Sequence, residues 1–141
     1  MTPVRQRNKH KPEEGVWGDC HRACIASILD LPYEDVPHFC EGGPSPEEFQ
    51  KRERAFLISK GYVPIVVAYK AQLDDLLYAI RHTNPNTYYL LGGKSINGTP
   101  HSVVCLNDEI VHNPNDATIV GPLDDGYYYI TYIGALVGLH T

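Results

Sequence analysis

The order of periodicities along this chain predicts an α+β domain, with helices first and antiparallel strands last. Three stretches carry that reading: an apolar run opening at Asp19, a capped amphipathic helix starting at Ser45, and β-rich runs alternating with turn residues from Thr87 onward. The 141 residues suffice for one domain with a real core. A hydrophobic content of 43% against 21% charged is that of a globular chain rather than a disordered one. Residues 1–15 show no periodicity and hold Pro3, Pro12 and five basic residues, which predicts a flexible arm leading into a single domain over residues 16–141.

Asp19 stands where an N-cap carboxylate would accept from the first N–H groups of a helix running to about Leu29. Ala23, Cys24, Ile25, Ala26, Ile28 and Leu29 make that helix apolar nearly all round, as a buried helix is. Leu31-Pro32 stops it, and Tyr33 to Pro37 reads as a turn. Ser45-Pro46-Glu47-Glu48 is a capping box with proline at the first helical position; Phe49, Phe56 and Leu57 line one face, and Gly61 ends the helix. Tyr62 to Tyr69 is a β-branched strand, and Ala71 to His82 is a helix buried through Leu73, Leu76, Leu77 and Ile80. Four strands are expected after it, at Thr87–Leu91, His101–Leu106, Glu109–Asn113 and Tyr127–Ile133, with a glycine-rich loop from Gly92 to Pro100.

The net charge of −5 disfavours a general nucleic-acid binder, and the basic first residues read as a solvated arm. No apolar run approaches the roughly 18 residues that span a bilayer. Met1 to Lys11 holds no apolar stretch of the secretory type, so the four cysteines are expected as reduced thiols in a cytoplasmic protein.

The chemistry concentrates at Gly18-Asp19-Cys20-His21-Arg22-Ala23-Cys24. Cys20 falls in the first turn of the buried helix, where unpaired N–H groups and the helix dipole favour a thiolate. Cys24 lies one turn further in. Downstream, His101 opens a strand and Asn113 closes the next, so cysteine, histidine and amide follow in the order of a Cys-His-Asn nucleophilic site. Asn107 and Asp108 supply the turn between the two strands. Pairing centred on Asn107 sets His101 directly opposite Asn113, with Cβ atoms roughly 4.5–5.5 Å apart. A centre one half-step later sends the two side chains to opposite faces, so the site is expected to need an odd-numbered loop. His112 is the competing partner and must face away from Asn113. For the oxyanion, Gln6, Asn8, Trp17 and Asp19 are the side chains to consider beside the Cys20 N–H; Gln6 has the best chemistry, and its use would require an ordered arm.

These motifs resemble papain-like cysteine peptidases, most closely the double-glycine leader peptidases and related small bacterial and phage proteins. The Asp19-Cys20 pair opens a helix rich in Ala and Cys, His101-Ser102-Val103-Val104 matches the family's His-x-Val-Val strand, and Asn113-Pro114 matches its Asp/Asn-Pro step. The resemblance covers about residues 16–32 and 98–114. It implies a papain-like fold, Cys20 as nucleophile, His101 as base and acid, Asn113 as orienting residue, a peptide or protein substrate and no cofactor. The chain departs from the family in two places: Glu13 to Val16 stand where its oxyanion glutamine is usual, and His21 stands where many relatives carry glycine or an aromatic residue.

Other readings stay open. The same three residues serve a peptidase, an isopeptidase, an amidase or an acyl transferase, and a papain-like fold also serves as a non-catalytic binding module. Tyr127, Tyr128, Tyr129 and Tyr132 suit either an aromatic contact surface or a half-buried strand, the latter favoured. Cys20, Cys24, His38 and Cys40 lack the tight Cys-x2-Cys knuckle of structural zinc, and no metal is expected. Gly92-Gly93-Lys94-Ser95 lacks the spacing of a phosphate loop.

Overall fold

A computed structural model describes residues 1–136. In chain order its elements are α1 (Cys20–Ile28), α2 (Pro46–Ser59), β1 (Tyr62–Tyr69), α3 (Leu73–Thr83), β2 (Tyr88–Ser95), β3 (Pro100–Leu106), β4 (Glu109–His112), β5 (Ile119–Gly121) and β6 (Tyr128–Ala135). The strands form one six-stranded antiparallel sheet in the order β1-β6-β2-β3-β4, with β5 paired to the end of β2. The mixed α+β class is therefore the observed one. Residues 137–141 of the expected domain lie outside the described residues. Among the described residues no helix is long and apolar enough to cross a membrane.

Successive strand residues point to opposite faces, and the core divides accordingly. Tyr89, Leu91, Val103, Cys105 and Ile130 face α3, through Leu76 and Ile80. Leu90 and Val104 face α1 and α2, through Cys24, Ile25, Ala26 and Leu57, with Phe39 between. The apolar α1 is buried because it packs on β3 and shares this second core with residues of α2. On β6, Tyr128 is buried and Tyr132 packs on the α3-side core, as the half-buried strand requires.

Local signals placed α2 well. The Glu48 N–H donates to Ser45 Oγ at 3.2 Å, Pro46 stands at the first position, and Gly61 leaves the helix with φ of 87°. Four expectations are corrected. The run Gly92 to Ser95 is strand rather than loop, extending β2 to Ser95, with Gly93 opposite His101. A Cβ at Gly93 would lie 2.8 Å from Ile119 Cγ2, so glycine here serves close approach to β5, a strand the sequence reading left out.

Asp19 makes no side-chain cap to α1. Its fully buried carboxylate instead accepts from Arg7 N–H (3.1 Å), Asn8 N–H (2.9 Å), Asn8 Nδ2 (3.0 Å) and the Tyr33 hydroxyl. For the same reason residues 1–15, expected as a flexible arm, lie fastened along the domain. Thr2 and Val4 bond Ser27, Gln6 N–H donates to Pro114 O at 2.9 Å, and Lys11 bridges to Val16.

The hairpin is the fourth correction. Leu106 pairs with Glu109 and Cys105 with Ile110, so its loop holds the two residues Asn107 and Asp108 and is not centred on Asn107. Val104 then pairs with His112, which leaves Val111 as an extra, bulged residue. The bulge restores the parity that the even loop removed. Continued past His112, this register carries Asn113 to the position opposite Val103, on the face that His101 and Val103 share.

Candidate active site

Cys20 is the first residue of α1 and His101 the second of β3. Both line a single cleft of about 1200 Å³, bordered on one side by the N-terminal arm and on the other by the end of β2. Asn113, just past β4, accepts at Oδ1 from His101 Nε2 at 2.7 Å. Its own Nδ2 is spent on Ala117 O at 2.8 Å, and its Oδ1 also takes Asn115 N–H at 3.3 Å, so the amide cannot turn over without losing these bonds. The network thus assigns the proton of neutral His101 to Nε2. Among the described residues Nδ1 of His101 takes no hydrogen-bond partner, and Cys20 and His101 make no hydrogen bond to one another.

His112, the competing partner, is placed elsewhere: its Nε2 donates to Val4 O at 2.7 Å and holds down the arm.

Burial pushes the Cys20 thiol above its ordinary value, the reverse of the lowering expected from the helix N-terminus alone. The N–H groups of Ser102 and His21 and the Ser102 hydroxyl oppose that shift, and the Asp19 charge adds to it. Burial also holds the His101 imidazolium below its ordinary range, against the hydrogen bond that its Nε2 donates to Asn113. Both directions favour the uncharged pair, thiol and imidazole. The other thiols are further from reactivity: Cys24 and Cys105 are fully buried, and burial pushes Cys40 up to about 12. All four cysteines are free.

Gln6 lies at this cleft despite its distance in sequence. A Cβ on Gly18 would meet Gln6 Nε2 at 3.4 Å and His10 Cβ at 3.0 Å, so glycine two residues before the cysteine lets the arm pass close. The Gln6 oxygen accepts from Asn115 Nδ2 at 2.8 Å, and its Nε2 donates to Asn8 O at 2.5 Å, leaving one amide N–H.

Three residues escaped the sequence reading as members of this region. His21 presents Nδ1 to Ser102 Oγ at 3.1 Å and Nε2 to the carboxylate of Glu53, which is 2% exposed. The signal for Glu53 was its place on the apolar stripe of α2, four residues after Phe49 and four before Leu57. Asn115 is a further addition, with no signal beyond its closeness to Asn113.

Among the described residues no group of three or more His, Cys, Asp or Glu side chains is placed to hold a metal ion. His38 donates from Nε2 to Trp17 O at 2.9 Å. No protein-family model, curated protein or solved structure matches the chain.

Proposed function

We propose that this chain is a thiol-dependent hydrolase of papain-like architecture acting on an amide or isopeptide bond of a peptide or protein. The observation that carries the reading is the His101–Asn113 hydrogen bond at the cleft that also holds Cys20. Asn113 keeps the proton on Nε2, so the Nδ1 lone pair is free to accept. Catalytic hydrogen bonds are often long in the free enzyme and tighten on substrate, so the absence of a direct Cys20–His101 bond is compatible with the role.

In the reaction the Cys20 proton passes to His101 Nδ1 as sulfur attacks the carbonyl carbon. The oxyanion formed is met by the Cys20 N–H and the remaining N–H of Gln6. Collapse breaks the C–N bond, the departing amine takes the proton from His101, and a thioester remains. Water, deprotonated by His101, then cleaves the thioester and returns the thiol; an amine in place of water would make the protein an acyl transferase. Because both groups favour their uncharged forms, His101 acts as a general base toward a thiol rather than as half of a standing ion pair. Reduced, free thiols suit a cytoplasmic setting.

A brief, low dose of iodoacetamide on native protein, read by intact mass, tests this beside Cys20→Ala and His101→Ala. One fast adduct at Cys20, slowed by loss of His101, is expected. The raised thiol of the half-buried Cys20 is the observation favouring the second reading, a binding module with an inert thiol. Slow labelling indifferent to His101 would establish that reading instead.

A further inference from the structure

Behind Cys20, on the side of the sheet away from His101, lies a second polar cluster that the reaction above does not use. Glu53 comes from the buried stripe of α2, His21 follows Cys20 on α1, and Ser102 follows His101 on β3. The three are joined in series: the Glu53 carboxylate to His21 Nε2, and His21 Nδ1 to Ser102 Oγ at 3.1 Å. Phe49 and Phe39 set their rings edge-on to the imidazole, with centroids 4.9 and 5.9 Å away, and fix its plane. Ser102 is further held where it is by Cys24, whose Sγ–H donates to Ser102 O at 3.4 Å.

A buried carboxylate is costly unless its charge is answered, and packing alone would not select one on this stripe. An N–H on His21 Nδ1 would donate to the Ser102 oxygen across this distance. The Ser102 hydroxyl hydrogen then has no acceptor on the His21 side and is free to turn to Cys20.

We propose that Glu53, His21 and Ser102 form a positioning relay that aims the Ser102 hydroxyl at the Cys20 sulfur and steadies it as negative charge develops during attack. This rests on Cys20 being the nucleophile and adds to that reading a source of thiolate stabilisation other than His101. The other titratable groups around the cluster are Asp19, Cys24, Cys40 and Arg52, which set its background field and remain unchanged in the variants below.

The test is the pH dependence of Cys20 alkylation by iodoacetamide in the whole chain, for the parent, Ser102→Ala, Ser102→Thr, His21→Phe and His101→Ala. Ser102→Ala removes only the hydroxyl and is expected to raise the midpoint by about one pH unit, a roughly tenfold slower reaction well below it. His21→Phe, which keeps an aromatic ring against Phe39 and Phe49, is expected to do the same, and Ser102→Thr to restore the parent midpoint. A purely structural role for Ser102 would change thermal stability without moving the midpoint. A midpoint unmoved in folded Ser102→Ala overturns the relay, whatever His21→Phe does. His101→Ala separates the two proposals: if it alone slows alkylation, the relay fails and the catalytic reading stands. If Ser102→Ala shifts the midpoint while His101→Ala changes nothing, the relay stands and the assignment of His101 as base fails.

Discussion

His101 and Asn113 meet, Nε2 to Oδ1 at 2.7 Å, because Val111 is one residue too many for β4. With a two-residue loop and unbroken pairing, Asn113 would have come opposite Ser102, on the other face of the sheet. The bulge re-aims the strand end, a common use of bulges beside active sites. The orienting amide is then locked by Ala117 O and Asn115 N–H.

Asn113→Ala is expected to lower kcat, because His101 loses the acceptor that fixes its tautomer, while Asn113→Asp retains part of the rate. His101→Ala removes proton transfer altogether and is expected to cost roughly 10²–10⁴-fold. Steady-state kinetics on a substrate found by amide screening checks the order: parent, then Asn113→Asp, Asn113→Ala and His101→Ala. An Asn113→Ala enzyme as fast as the parent would remove Asn113 from the mechanism.

Element types were legible where local chemistry decides them. Ser45-Pro46 and Gly61 bracket α2 with no tertiary help, and the unbroken apolar run Val103, Val104 and Cys105 reports a strand buried on both faces. The site was legible as residue types, but not the geometry joining them. Nothing in Asn107-Asp108-Glu109-Ile110-Val111 announces that Val111 bulges, since the register is set by the core that His112 and Val104 must satisfy. Asp19 looked like a cap, yet four donors from the arm and Tyr33 outcompete the helix N–H groups for its oxygens. Glu53 has no reading in the sequence at all, because only the His21 ring beside it explains a carboxylate there.

The pH profile follows from the direction of the His101 shift. In the proposed reaction attack needs neutral His101, and burial lowers its pKa below the ordinary 6.5. The acid limb of kcat/KM is therefore expected below pH 6.5, rising with pH as the imidazolium loses its proton. The thiol, raised above its ordinary 9.0, gives no fall in the neutral range. The same shift acts on stability. Unfolded chain binds the His101 proton more readily, so His101 contributes stability fully present above the unfolded pKa and lost as pH falls through the folded one. A profile active far into acid that falls at alkaline pH, as an imidazolium loses its proton, would mean that an ion pair, not a neutral pair, is the working form.

Gln6 and Gly18 form one device, the amide and the gap it passes through. Gln6→Ala is expected to reduce kcat by roughly 10²–10³-fold with little change in KM, as loss of an oxyanion donor does. Gly18→Ala leaves the amide present but presses its Cβ on His10 at 3.0 Å, so a smaller loss in kcat is expected. Equal rates for Gln6→Ala and parent would pass the oxyanion role to another donor.

Breaking the buried His21–Glu53 pair from one side leaves the other partner unanswered. Glu53→Ala is expected to destabilise the fold by about 3–5 kcal/mol, read from urea unfolding with an unchanged slope. Replacing both residues at once, Glu53→Leu with His21→Phe, removes the uncompensated group and is expected to recover most of that loss. A double variant no more stable than Glu53→Ala would show that shape, rather than charge, is what the pair supplies.

Asp19 fastens the arm, and the arm carries Gln6, so the stability of one is coupled to the chemistry of the other. Asp19→Asn keeps the size of the side chain but replaces one acceptor oxygen with a donor, in a pocket where the Arg7 N–H, the Asn8 N–H, Asn8 Nδ2 and the Tyr33 hydroxyl all require acceptors. The amides of Arg7 and Asn8 are expected to exchange with deuterium faster in this variant, while those of β2 and β3 keep their protection. Catalysis should fall with the arm, since a mobile Gln6 no longer meets the oxyanion, although Cys20 and His101 are untouched. Alkylation of Cys20 by iodoacetamide, which builds no oxyanion, should survive the substitution. Loss of labelling together with loss of turnover would instead place the effect of Asp19 on the thiol, through the charge it holds beside Cys20.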